Sequence, residues 1–285
     1  MSRAEYTIKT NEQLLLMREA GLITRAALDA VRAAVRPGVS TLELDKIADD
    51  TMNARGAHSN FQLVEGYFHT ICASINDEVV HGIPRGDRVL RAGDLISIDC
   101  GAEINGWNGD SAFSMVVPGE SSEPAEVVAA RQQLSDVTEQ SLWVGIAALA
   151  KAKHLNEVGA AIEAFVNEKA EEHGRDYGIL EDYIGHGIGR TMHEEPAVFN
   201  YEVKHKGPKV GPGLVVAIEP MITGGDDAVQ VLADGWTVSS VDGSDAAHWE
   251  HTVAVHEGGI WVLTAEDGGL AGLAPFGIVP VPVSA

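Results

Sequence analysis

Residues 94–117 read DLISIDCGAEINGWNGDSAFSMVV, and this stretch decides the fold. Alternating runs flank Asn105-Gly106, and Asn-Gly between such runs is the strongest short-range hairpin signal. With Asn105-Gly106 as a two-residue turn, Ile104 opposes Trp107 and the ladder runs back to set Asp99 opposite Ala112. Asp110 then lies two residues from Ala112, on the face that carries Asp99. Such diagonal neighbours are about 7–8 Å apart, within reach of two inward-leaning side chains. Carboxylates held that close repel each other unless a proton or a cation sits between them, and a divalent metal ion is the natural answer.

Outward from the hairpin, residues 57–118 are strand-rich, with a second turn signal at GIPRGD. Upstream, residues 11–35 carry apolar positions at helical spacing, and RPGVS ends the run. Thr41 is expected to cap a second helix, with Glu43 and Asp45 near its positive end. Residues 123–150 and 155–173 read as two more helices, and from Tyr183 on the chain is again strand-rich. Helices, strands, helices, strands is the order of an α+β fold with a mainly antiparallel sheet.

The metal-type residues fall in both strand-rich parts, so both parts must build one site. The expected division is an N-terminal arm over 1–10, a single catalytic domain over 11–265, and a Gly/Pro-rich tail over 266–285 with a loosely packed, frayed end.

The bulk numbers exclude several classes. A chain of 285 residues with 45% hydrophobic content has ample core. No apolar run reaches the length of a membrane span and no signal peptide opens the sequence, which points to a cytoplasmic protein without a membrane partner. The net charge of −22 argues against specific nucleic-acid binding. The one basic cluster, Lys204 to Lys209, reads as a solvated loop. Cys72 and Cys100, the only cysteines, lie in apolar runs and are expected to be reduced and buried.

Five metal-type residues stand in short, unusual contexts: Asp99 in SIDCG, Asp110 in NGDSA, His186 in GHGIGR, Glu219 in AIEPM and Glu250 in HWEHT. Any carboxylate among them alone also reads as an ordinary strand-end or surface charge. His186 is stronger, because its flanking glycines allow close approach. Four carboxylates and one imidazole favour Mn²⁺, Fe²⁺ or Co²⁺ over a closed structural zinc site. Four negative charges balance two divalent cations, so a two-metal site with a bridging water of lowered pKa is expected. Competing motifs fail. GHGIG lacks the spacing of a phosphate loop, Ala197 stands where a zincin would need its second histidine, and no G-x-S-x-G elbow occurs.

Taken jointly, NDEVVHGIP (His81), DLISIDCG, GWNGDSA, IGHGIGRTMHEEP (His186 and His193), VAIEPM and HWEHT resemble type I methionine aminopeptidases, in order from about residue 11 to 265. The resemblance implies the pita-bread fold, a curved antiparallel sheet with helices on its outer face and halves related by a pseudo-twofold. It implies that Asp99 chelates one metal ion, that His186 and Glu219 chelate the other, and that Asp110 and Glu250 bridge both. A bridging hydroxide would attack the carbonyl of an N-terminal methionine, with Glu219 as general base and then acid. His193 would stabilise the oxyanion, and His81 would contact the scissile amide nitrogen or position the substrate. The methionine side chain needs an apolar, polarizable pocket, for which Tyr67, Cys72, Met192 and Trp236 are the candidates by position.

The implied partners are nascent polypeptides with a small second residue, with transient ribosome proximity. A monomer is expected. GYFHT departs from the family pattern before the Cys72 strand, and Asn108 stands where a histidine is common. The acidic loop GGDDAVQVLADG lacks the lysines of some bacterial relatives. Two other readings remain: an X-Pro peptidase of the same fold, whose members usually carry a large N-terminal domain, and a non-catalytic peptide-binding relative, which would lose metal ligands.

Overall fold

In the computed structural model, which describes residues 6–284, the hairpin forms as its turn dictates. β4 (Leu95–Ile104) and β5 (Trp107–Val116) pair antiparallel, with Ile104 opposite Trp107 and Asp99 opposite Ala112. Asn105 and Gly106 have φ of 55° and 74°, the two positive values that a type I′ turn requires. Residues 1–5 of the expected arm and Ala285 of the expected tail lie outside the described residues.

The strand period of two then separates chemistry from packing. On β4, Ile96, Ile98, Cys100 and Ala102 enter a hydrophobic cluster, joined by Phe113 from β5. The cluster's other side comes from α1 (Asn11–Ala34), through Ile23, Ala27, Leu28 and Val31, and from α2 (Thr41–Asn53), through Leu44, Ala48 and Met52. Asp99 and Asp110 project from the opposite face. α1 lies directly on the hairpin: a Cβ at Gly109 would come within 2.7 Å of Gly21 N and 2.8 Å of Gly21 Cα.

Ser40, one residue before the expected cap, caps α2. Its side chain accepts from Glu43 N, and the Glu43 carboxylate takes Ser40 N in return. Thr41 is the first helical residue, and its hydroxyl instead accepts from Arg85 N and donates to Arg85 O. The Ser-x-x-Glu spacing completes a reciprocal box that Thr41 cannot make, since Leu44 stands three residues after it.

Three short strands complete the first half: β1 (His58–Ser59), β2 (Ile71–Ile75) and β3 (Glu78–Val80). The second half repeats the helix-pair-then-strands order. α3 (Ala125–Leu149) and α4 (Asn156–His173) precede β6 (Gly178–Ile179), β7 (Gly185–Gly187), β8 (Glu194–Val198), β9 (Val215–Ile218) and β10 (Met221–Thr223). β11 (Val229–Val231), β12 (Val238–Ser240), β13 (Ala246–His248), β14 (Glu250–His256) and β15 (Gly259–Val262) follow. The curled main sheet runs β1-β4-β5-β14-β9-β7-β8, with β2 added on β4 and β15 on β14. This is the expected α+β pita-bread arrangement. The halves meet in two places: β5 pairs β14 through Ala112 with Glu250 and Ser111 with His251, and β3 pairs β12 through Val80 with Val238 and Glu78 with Ser239.

The C-terminal segment packs more closely than its Gly/Pro-rich composition suggested. α5 (Leu270–Leu273) buries Leu273 in the α3–β14 core. Val281 N donates to Ile260 O at 2.9 Å, and Val283 joins Leu14, Met17 and Trp261 in a cluster beneath α1. Among the described residues, no helix is long and apolar enough to cross a membrane. Both cysteines are free and buried, as expected.

Candidate metal centre and its apolar pocket

The polar half of the site is assembled from four strands and the residue that follows a fifth. Asp99 and Asp110 come from β4 and β5, His186 from β7, Glu219 from the residue after β9, and Glu250 from the start of β14. Asp110, His186, Glu219 and Glu250 are at least nine-tenths buried, and Asp99 is half-buried as a whole residue. Single ligand atoms of Asp110, His186 and Glu250 lie within 4.8 Å of one another. Glu219 joins them, its Oε1 lying 3.4 Å from His186 Nε2. Asp99 Oδ1, Asp110 Oδ1 and Glu250 Oε1 are buried with no hydrogen-bond partner. Orphaned carboxylate oxygens are rare in native interiors and call for a proton or a cation.

Electrostatics agree with that reading. Burial pushes the Asp99 carboxyl up to about 7. Burial first, and then the neighbouring carboxylates, holds Asp110, Glu219 and Glu250 well above the usual range. Burial also pushes the imidazoles down, to about 4 for His186 and for His81, so both are neutral at pH 7. His186 Nδ1 lies 2.9 Å from Gly187 O. A carbonyl only accepts, so Nδ1 carries the proton and Nε2 turns its lone pair into the space among the carboxylates, as a metal-ligating histidine does. The donor set therefore fits a divalent cation.

Backbone contacts hold the ligands across the seam between the halves. Asp110 N donates to Thr252 Oγ1 at 3.0 Å, and the same hydroxyl donates to Asp110 O at 2.8 Å. Ser111 Oγ donates to Glu250 O at 2.6 Å, and within the second half Asn200 Nδ2 donates to Glu219 O at 3.1 Å.

All eleven residues singled out from the sequence line one cavity of ≈ 140 Å³. It is small beside drug-sized pockets and takes one side chain. Its apolar wall is a packed cluster in which Tyr67 and Cys72 meet Met192 and Trp236. The Tyr67 and Trp236 rings meet edge-on, with centroids 5.1 Å apart. Tyr67 OH donates to Ile71 O at 2.7 Å and sits 3.2 Å from Cys72 Sγ. Burial pushes the Cys72 thiol well above its ordinary pKa, so it is a neutral wall and not a nucleophile. His193 stacks edge-on against His186 at 4.3 Å, and His81 lies 5.7 Å from the Tyr183 ring.

Five contributions escaped the sequence reading. Phe61, Val64 and Val80 also line the cavity. Phe61, Val64 and Tyr67 recur every third residue through a short 3₁₀ turn at Phe61–Leu63, a spacing that was available. Asp45, expected at the start of α2, accepts from Thr70 N and Ile71 N at 2.7 and 3.0 Å and anchors the strand that carries Cys72. Asn108 donates through both its backbone N and its Nδ2 to Gly189 O, each at 3.0 Å, and so holds the segment leading to His193.

Comparison with known proteins bears directly on this constellation. Residues 15–257 match the model of metallopeptidase family M24. The chain belongs to this family. It is 47% identical over 252 residues to methionine aminopeptidase 1 of Mycobacterium tuberculosis (strain CDC 1551 / Oshkosh), covering 88% of this chain and 92% of that relative. The crystal structure of a methionine aminopeptidase from Thermotoga maritima superposes with a TM-score of 0.84 at 34% identity, over 92% of this chain and all of the other. A prolidase from Pyrococcus furiosus shares the fold alone, with a TM-score of 0.67 at 21% identity, and this chain spans 65% of its length.

Proposed function

We propose that this family M24 member removes the initiator methionine from nascent polypeptides whose second residue is small. The observation that carries the reading is one small cavity with an apolar, sulfur- and aromatic-lined wall and a floor of orphaned carboxylates. The methionine aminopeptidases named above support it. Asp99, Asp110, His186, Glu219 and Glu250 would hold two divalent cations, Asp110 and Glu250 contributing to both. Cobalt, manganese and iron all suit this donor set. Bound there, the cations supply Lewis acidity, polarising the scissile carbonyl and lowering the pKa of water.

The protein's own groups do the rest. Tyr67, Cys72, Met192 and Trp236 receive the methionine side chain, whose thioether favours polarizable and aromatic neighbours. Glu219 takes the proton of the attacking water and returns it to the leaving amine, a role suited to a carboxylate of raised pKa. His193 donates to the carbonyl oxygen as negative charge develops there. His81, neutral and beside the cavity, positions the scissile amide nitrogen. Residues 11–265 form the single catalytic unit in this reading, with an arm before it and a tail after it. The protein works as a cytoplasmic monomer, with transient proximity to the ribosome and with no specific nucleic-acid or membrane partner. An X-Pro peptidase and a non-catalytic peptide-binding role are the competing readings. Retention of all five ligands and both histidines weighs against the second.

The test is hydrolysis of Met-Ala-Ser against Gly-Pro-Ala by metal-free protein titrated with Mn²⁺, Fe²⁺ or Co²⁺. Metal-dependent release of methionine alone is expected. Cleavage of only the proline peptide would move the protein to the X-Pro reading. Cleavage of neither, with metal bound, would leave a binding role.

A further inference from the structure

His193 ends a six-residue segment, Ile188 to His193, that links β7 to β8. The residue after it, Glu194, ties that segment together. Glu194 Oε1 accepts from Arg190 N at 2.7 Å and Thr191 N at 3.3 Å. Its Oε2 pairs with Lys9 Nζ at 2.7 Å, and the two side chains are only 2% and 14% exposed. Lys9 is the one lysine that is buried among the described residues. It is itself fixed by the backbone, since Lys9 N donates to Gly213 O at 2.9 Å. Gly213 has φ +88°, and a Cβ there would come within 2.7 Å of Lys9 O. Gly189 faces the ion pair so closely that a Cβ would meet Lys9 Cε at 2.6 Å and Glu194 Oε1 at 2.7 Å.

A buried carboxylate whose cation is removed is strongly penalised and turns toward water when it can. Here that turn would release the Arg190 and Thr191 amides and loosen the turn that aims His193. Lys9 precedes the span matched to the family, residues 15–257, and 184 residues separate it from His193.

We propose that Lys9 is a positioning residue for His193, acting through the carboxylate of Glu194. The proposal rests on His193 serving as the donor to the scissile carbonyl. Misplacing such a group by about 1 Å can cost on the order of 10²-fold in rate.

The experiment compares wild type, Lys9→Met, Lys9→Arg, His193→Ala and the Lys9→Met/His193→Ala double variant, all loaded with Mn²⁺. Lys9→Met is expected to lower kcat on Met-Ala-Ser about 10- to 100-fold. KM and Mn²⁺ affinity by calorimetry should stay within about twofold, and Lys9→Arg should recover most of kcat. In the His193→Ala background, Lys9→Met should change kcat less than about twofold, because the group it aims is gone. An equal loss in both backgrounds, or no loss in either, overturns the proposal.

Amide exchange at Arg190 and Thr191 should quicken in Lys9→Met, and this readout does not depend on activity. Wild type that releases no methionine therefore sinks the functional reading, whereas unchanged exchange sinks the role of Lys9. If Lys9→Met fails to fold, Glu194→Gln keeps the acceptor for both amides but cannot pair with Lys9; an unchanged kcat there overturns the proposal.

Discussion

Metal-free protein should carry an electrostatic penalty that grows with pH, and Asp99→Asn should relieve it. The Asp99 carboxyl is pushed from 3.8 up to about 7 by burial. An acid with a higher pKa in the fold than in the unfolded chain is protonated more readily when folded. Its contribution favours the fold below about pH 4, where both states hold the proton. That advantage is lost as pH rises through about 7, where the fold must bury a charge. A shift of this size corresponds to about 4 kcal/mol, a large part of a typical folding free energy.

The assay is urea unfolding of metal-free wild type and Asp99→Asn across pH 4 to 8. The variant should match wild type near pH 4 and exceed it by up to about 4 kcal/mol at pH 8. Saturating Mn²⁺ should reverse the order at pH 8, because ligand binding adds RT ln(1 + [L]/Kd) to wild type and little to the variant. Equal stability of the two metal-free proteins at pH 8 would refute the reasoning, since it would mean that the Asp99 carboxylate costs no more to ionise in the fold than in water.

Asp110→Ala should abolish both metal binding and methionine release, read by metal analysis after dialysis; full activity without bound metal would contradict the role given to this carboxylate. His193→Ala should keep its metal and its KM but turn over about 10²–10³-fold more slowly, as for a lost oxyanion donor; a change in metal affinity as large as that in kcat would make it a ligand instead. Gly109→Ala should destabilise the protein by about 1–3 kcal/mol or more in urea unfolding, because its Cβ runs into the backbone of α1 at Gly21. Neutral behaviour there would show that α1 can move off the hairpin at little cost.

The hairpin was legible because two local rules coincide at Asn105-Gly106: a turn that only certain residues make, and a strand period that sorts side chains by face. Register then placed Asp99 and Asp110 without any other information. The remaining ligands were legible as short contexts, and only their joint order gave them a common site. What escaped is what sequence neighbours do not encode. The cap of α2 was one residue off because Ser40 and Thr41 are both capping types, and the decision lay with Glu43. Asp45 looked like a helix-dipole charge, yet its acceptors serve backbone amides 25 and 26 residues away. Lys9 and Glu194 are 185 residues apart, and neither carries a local signal of the other. The tail looked frayed because its glycines and prolines hid Leu273 and Val283, which find buried places only once the core exists to receive them.

The narrow junction between β5 and β14 gives the site the character of a clasp. Asp99 and Asp110 belong to one leaf of the molecule, and His186, Glu219 and Glu250 to the other, and beside the site only two residue pairs of ladder, those of β5 with β14, join the leaves. A cation held by both sets would tie the leaves together across this short ladder. Any parting of the leaves at this line would therefore pull the donor set in two.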